Sequence, residues 1–268
     1  MGKVWFITGV SRGFGREWAS AALERGDRVA GTARDLAAVA DLAAEFPATF
    51  LPLRLDVTDR AADFAAVERA AGHFGRLDVV VNNAGFAQFG MVEELSEREI
   101  RAELETNLFG ALWVTQAALP ILRAQGSGHI IQVSSLWGLV ASPSVGAYNA
   151  SKWALEGLSE ALAAEVADFG IHVTVLEPGT YDTGFTLSRF ATANPAYDRV
   201  RATAADAGQS FGKPSATRSA LLTLVDAEQP PLRLLLGDTA VRVVADEYRS
   251  RLAVWREWQS VSAAAQGN

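Results

Sequence analysis

Val4-Trp5-Phe6-Ile7, then Thr8-Gly9-Val10-Ser11-Arg12-Gly13-Phe14-Gly15, is the stretch whose reading decides the fold. The apolar run predicts a buried strand, and the spacing of apolar residues from Phe14 to Arg25 predicts a helix. The glycines between them suit a tight turn, close approach of backbone to a pyrophosphate, and close packing of helix on strand. The helix start offers free N–H groups and a positive dipole to an anion. This predicts a dinucleotide site formed by Gly9, Ser11, Arg12, Gly13, Phe14 and Gly15, with a purely structural turn as the alternative.

Outward from that turn, strand-like runs alternate with helical stretches. The strands are Val4 to Thr8, Arg28 to Thr32, Thr49 to Leu55, Asp78 to Val81, His129 to Ser134, His172 to Glu177 and Leu232 to Leu236. The helices include Leu36 to Phe46, Arg60 to Phe74, Glu97 to Ala124 (opened by a Ser96-x-x-Glu99 capping box) and Ala147 to Phe169. Continuously apolar strands fit a parallel sheet covered on both faces. The alternation predicts an α/β fold: a doubly wound parallel sheet of about seven strands, joined by right-handed crossovers, with helices on both faces. No linker, repeat or low-complexity tract interrupts it, so residues 1–268 read as one Rossmann-type domain. The stretch 184–214 breaks the rhythm and carries Phe185, Phe190, Tyr197 and Phe211. It reads as a lid over a binding site, or else as a surface insertion.

Composition excludes several classes. Apolar residues are 49% and charged residues 21%, as in globular proteins. No apolar run is long enough to span a membrane, and the start lacks a secretory leader. With no cysteine, thiolate chemistry and disulfides are ruled out, and a reducing cytoplasm is the expected location. A net charge of −7 without a basic run argues against nucleic acid as a partner. Only Lys3, Lys152 and Lys213 are lysines, so an interior lysine stands out as one that arginine does not replace.

The end of the second strand reads Thr32-Ala33-Arg34, where an acidic residue would bond a ribose 2′-hydroxyl. Arg34 with Arg12 suits a 2′-phosphate instead, which points to NADP(H), with NAD(H) as the alternative. A solvated Arg34 at a helix start is the other reading. Asp56, with Val57 after it, meets the adenine amine or caps the next helix. Further on, Tyr148-x-x-x-Lys152 puts a phenol and an ammonium on one helix face. An ammonium nearby lowers a phenol's pKa towards working pH and makes a proton donor for a carbonyl/alcohol pair.

In this company the sequence resembles the short-chain dehydrogenase/reductase family, in its single-domain branch of about 250 residues. The resemblance rests on Thr8-Gly9-x-x-x-Gly13-x-Gly15, Asp56, Asn82-Asn83-Ala84-Gly85, Asn107, Ser134-Ser135, Tyr148-x-x-x-Lys152 and Pro178-Gly179-x-x-x-Thr183. It implies that Tyr148 is the general acid in reduction and the base in oxidation. It implies that Ser135 polarises the substrate oxygen, and that Lys152 lowers the Tyr148 pKa and holds the nicotinamide ribose. Asn107 would anchor a water relay from Lys152 to solvent. Asn83, Ala84 and Gly85 would pack on the adenosine side, and Pro178, Gly179 and Thr183 would hold the carboxamide. The ending from Leu235 is loosely similar to bacterial relatives of hydroxysteroid and retinol dehydrogenases.

The expected function is hydride transfer between a nicotinamide cofactor and a carbonyl or alcohol, with a bulky apolar ketone as substrate. Leu136, Trp137, Val145, Phe86 and Phe89 are the expected pocket wall. The alternatives are reduction of 3-oxoacyl groups on a carrier protein, for which Arg189, Arg199 and Arg201 leave room, and a dinucleotide-sensing regulator, which should lack Tyr148 or Lys152. A sugar-nucleotide epimerase would show a Gly-x-x-Gly-x-x-Gly turn. His73, His129 and His172 lack metal-ligand spacing, so no metal site is expected. Val241, Val244, Tyr248, Leu252, Trp255 and Trp258 form an apolar helical stripe. It packs on the chain's own sheet or forms a subunit contact, and the family resemblance implies a homodimer or homotetramer.

Overall fold

A computed structural model describes residues 2–184, 189–205 and 211–267. Its main sheet comprises β1 (Val4–Ile7), β2 (Arg28–Ala33), β3 (Phe50–Arg54), β4 (Val79–Asn82), β6 (Gly128–Val133), β7 (Ile171–Pro178) and β9 (Arg233–Leu236). All seven run parallel in the order β3-β2-β1-β4-β6-β7-β9. The helices are α1 (Gly13–Glu24), α2 (Ala40–Glu45), α3 (Arg60–Phe74), α4 (Glu97–Leu104), α5 (Ala111–Gln125), α6 (Gly146–Val166), α7 (Asp198–Ala205), α8 (Arg218–Asp226), α9 (Asp238–Glu257) and α10 (Gln259–Ala264).

The side-chain alternation of β1 shows why the sheet carries helices on both faces. Trp5 and Ile7 enter one core with Trp18 and Ala22 of α1, Leu42 of α2, and Leu221 and Leu224 of α8. Val4 and Phe6 enter the other with Val67 of α3, Val114 and Leu122 of α5, and Leu162 of α6. A strand buried on both faces reads as an unbroken apolar run, which is how the sequence spells it. The order reverses beside β1, between β1 and β4, so a crevice opens at the carboxyl ends of those strands.

Three features depart from the periodic reading. The helix expected from Glu97 to Ala124 is split, because Glu105–Gly110 forms a wide π-helical turn between α4 and α5. Such turns recur at functional sites. A second, two-stranded sheet pairs β5 (Gln88–Phe89) with β8 (Arg189–Phe190) in parallel. The stripe on α9 does not pack on the chain's own sheet: Val241, Tyr248, Leu252, Trp255 and Trp258 are all exposed. No helix among the described residues is long and apolar enough to cross a membrane.

Candidate active site

The crevice holds a cavity of about 850 Å³, within the range of small-molecule sites. At one end lies the turn after β1. Thr8 Oγ1 accepts from the Asn83 and Ala84 N–H groups, each at 2.9 Å. Asn83 Nδ2 donates back to Thr8 O at 2.8 Å and Gly9 O at 3.0 Å. Gly9 N–H reaches Thr32 Oγ1 on β2 at 3.3 Å. The turn is thereby bolted to both neighbouring strands.

Gly9 and Gly13 have φ of 72° and 57°, which only glycine adopts readily. No side chain caps the start of α1 and no acidic residue lies in its first turn, which leaves its N–H groups and dipole for an anion. Gly15 is the exception among the expected cofactor residues of the turn: it does not line the cavity. A Cβ there would stand 2.4 Å from Gly9 O, so it serves the contact of helix and turn.

Of the other expected cofactor residues, Arg34, Asp56, Val57, Asn83, Ala84, Gly85, Pro178, Gly179 and Thr183 line the same cavity, with Ser11, Arg12, Gly13 and Phe14. Asp56 does not cap the following helix. It accepts from Thr58 N–H (3.1 Å) and Thr58 Oγ1 (2.9 Å), while Asp59 caps α3 through Ala62 N–H. Ala33 closes β2 where an acidic side chain would stand, and it is buried.

At the other end, Ser135 follows β6, and Tyr148 and Lys152 sit one turn apart on α6; all three are buried. Ser135 hydrogen-bonds Tyr148, and Ser135 Oγ also accepts from Trp137 N–H at 3.1 Å. The Trp137 ring meets the Tyr148 ring edge-on at 6.0 Å. Lys152 Nζ donates to Val133 O at 2.8 Å and lies 5.6 Å from the Tyr148 ring centre.

Burial pushes the Tyr148 hydroxyl above its ordinary value, with the Ser135 hydrogen bond pulling the other way. Burial also pushes Lys152 down to about 8, while Glu103 and Glu156 draw it back up.

Asn107, in the wide turn, stands behind the site and does not line the cavity. Its Oδ1 accepts from Phe86 N–H at 3.0 Å, and its Nδ2 donates to Phe86 O at 2.8 Å and Ser151 Oγ at 3.1 Å. Both amide hydrogens are therefore spent on protein. A Cβ on Gly85 would lie 3.0 Å from Asn107 Oδ1 and 3.7 Å from Lys152 Nζ, so the two side chains flank that glycine. Ser134 is buried against Glu156, and Val145, expected in the pocket wall, is buried behind it with Ala87 and Tyr148.

Glu103 carries no mark in the sequence pattern. It is fully buried on α4, Oε1 accepts from Gln88 N–H at 3.0 Å, and Oε2 has no hydrogen-bond partner among the described residues. Burial pushes its carboxyl up to about 7, against the Gln88 N–H and the Lys152 charge. His129, by contrast, is a structural residue, bonded to Thr174 Oγ1 at 2.9 Å. No group of metal-ligating side chains occurs among the described residues.

Phe86, Phe89, Leu136, Trp137, Tyr181, Arg189 and Phe211 also line the cavity. The stretch expected as a lid is fastened here. Phe190 stacks on Phe89 at 5.2 Å, and Ala191 N–H donates to Phe89 O at 2.7 Å. Glu94 accepts from Asn194 N–H and from Arg201, each at 2.6 Å, and Tyr197 bonds Glu93. Phe185 lies outside the described residues.

Residues 3–194 match the model of a family described as short chain dehydrogenase. The chain is 41% identical to "Oxidoreductase BOA17" of Botryotinia fuckeliana, over 99% of this chain and all of that one. It superposes with a TM-score of 0.91 on the crystal structure of a short-chain dehydrogenase from Streptomyces avermitilis, at 41% identity and covering 98% and 99% of the two chains. Two further structures carry nicotinamide dinucleotides. One is an alcohol dehydrogenase from Thermococcus sibiricus complexed with 5-hydroxy-NADP (TM-score 0.75, 28% identity, covering 87% and 95%). The other is a 3-ketoacyl-(acyl-carrier-protein) reductase from Brucella melitensis complexed with NADH (0.76, 27%, covering 88% and 96%).

Proposed function

The chain belongs to the short-chain dehydrogenase family of oxidoreductases, and from that premise we propose that it is an NADP(H)-preferring reductase of ketones. The observation that carries this is the single cavity with Ser135, Tyr148 and Lys152 at one end and an uncapped, glycine-built helix start at the other. When bound, the nicotinamide supplies the hydride. Ser135 Oγ holds the substrate oxygen, and Tyr148 gives it a proton. A phenol whose pKa is pushed up carries that proton at neutral pH, so the site is in the form that reduction needs. Lys152 holds the ribose and resupplies Tyr148, while Asn107 fixes the Phe86 backbone beside them.

Arg12 and Arg34 support the preference for NADP(H). Both line the cavity, neither forms an ion pair among the described residues, and Ala33 offers no carboxylate to repel a phosphate. The stretch 184–214 acts as the lid, and the exposed α9 stripe supports a homodimer or homotetramer in the cytoplasm. Reduction of a carrier-bound acyl group is the second reading. It needs a basic docking face, which Arg201 weakens because Glu94 and Asp198 already hold it.

The test follows NADPH absorbance across a panel of aryl and alkyl ketones. Tyr148→Phe should still bind NADPH but lose about 10²- to 10⁴-fold in kcat. Retention of more than about a tenth of kcat, with chemistry rate-limiting, would remove Tyr148 as the acid.

A further inference from the structure

We infer that Arg189 makes this a site for ketones that carry a carboxylate on an apolar body; the inference rests on the reductase reading above. The cavity lining includes the aromatic side chains of Phe86, Phe89, Trp137 and Phe211, and Arg189 lines it with them. Its guanidinium lies 4.4 Å over the Phe86 ring centre, and among the described residues it makes no hydrogen bond or ion pair. A face-on ring orients a guanidinium without consuming any of its N–H donors. The donors therefore remain in their fork geometry, which matches two carboxylate oxygens.

Arg189 is exposed, but two comparisons set it apart from a surface arginine with no fixed place. Arg201, in the same stretch, spends its charge on Glu94 at 2.6 Å and Asp198 at 2.9 Å and serves to fasten the segment. Among the described residues Arg189 has no such partner. Its backbone is also fixed: Arg189 pairs in register with Gln88, and Phe190 with Phe89, while Gln88 N–H is held by the buried Glu103. A cation is thus set at a defined point of an aromatic wall in a chain whose net charge is −7. Among the other charged residues lining the cavity, Arg12, Arg34 and Asp56 belong to the turn end, Lys152 is buried beside Tyr148, and Glu105 forms no ion pair with Arg189.

The experiment compares 6-acetyl-2-naphthoate with its methyl ester, two ketones that differ in the charge and one methyl group. The native protein should favour the acid in kcat/KM. In Arg189→Met the acid-to-ester ratio should fall about 10- to 100-fold, and Arg189→Lys should recover part of it. An unchanged ratio in Arg189→Met, or a native preference for the ester, would overturn the inference while leaving the reductase reading standing. If neither ketone is turned over with either cofactor, that reading fails instead. Calorimetry with 2-naphthoate then decides the role of Arg189: binding lost in Arg189→Met supports it, and equal binding overturns it.

Discussion

Where β1 meets β4, Thr8 and Asn83 exchange four hydrogen bonds of 2.8–3.0 Å with the backbone of the turn and strand end. Where β5 meets β8, the cavity wall hangs on a two-residue strand pair, one ring stack and the carboxylates of Glu93 and Glu94. The first end follows from sheet topology and backbone geometry, so any sequence that builds this sheet must come close to it. The second is set by a handful of side chains and can be refitted without disturbing the sheet. Cofactor recognition belongs to the scaffold, and substrate recognition is attached to it.

Substitutions at each end can break that contrast. The largest effect is expected at the turn. In Gly15→Ala the new Cβ would stand 2.4 Å from Gly9 O and 2.5 Å from Asn83 Nδ2, so backbone must move. Overpacking of this kind costs about 1–3 kcal/mol. Tm should fall, and calorimetry should find NADPH binding about 10- to 100-fold weaker. Native affinity in this variant would mean that the turn is not the anchor.

Arg34→Ala should lower the NADPH-to-NADH ratio of kcat/KM by about tenfold or more, because only NADPH carries the group that Arg34 reads. An equal loss with both cofactors would make Arg34 a solvated helix-start residue. At the other end, the Asn194 N–H and Arg201 hold the Glu94 carboxyl down to about 2, so it is charged at any working pH. Glu94→Ala should raise KM for a ketone about 3- to 10-fold while the Kd for NADPH holds steady. If the cofactor Kd rose equally, the two ends would be one unit and the contrast would fail.

The last effect is on stability. Glu103 titrates near 4.5 unfolded and about 7 folded, so the folded chain binds more proton between those values. Its contribution is therefore lost as pH rises from about 4.5 to 7, with a slope of at most about 1.4 kcal/mol per pH unit. Glu103→Gln keeps an acceptor for Gln88 N–H and should flatten that stretch of the stability–pH curve in urea titrations. An unaltered slope would place the pH dependence elsewhere.

The same contrast explains what could be read without coordinates. Gly9, Gly13, Tyr148 and Lys152 are legible because each requirement is local: a turn of a given hand, or two side chains four residues apart. β5 and β8 are too short for any period to show. Glu103 and Gln88 look like ordinary polar residues, since nothing in the pattern marks a carboxylate that tertiary packing will bury. The α9 stripe was plain as a stripe, but a stripe does not say what covers it. Val145 reads as pocket wall from the sequence, although it packs with Ala87 behind the Tyr148 ring.

The wide turn at Glu105–Gly110 also acts on helical phase. Glu103 and Thr115 are both buried, one against Gln88 and the other bonded to Asn82 and Gln132. In an unbroken α-helix their twelve-residue separation would leave them about 120° apart around the axis. Bonds that span five residues slow the rotation per residue, so the extra residue works like a vernier between α4 and α5. Deleting one residue from 105–110 would leave them eleven positions apart, about 20° in a regular helix, so the two faces would stay in phase while the wide turn that carries Asn107 was lost. Straightening the turn at full length is what would misalign the faces: with α5 anchored on the sheet, Glu103 would rotate away from Lys152, and Gln88 would lose the carboxylate that holds its strand.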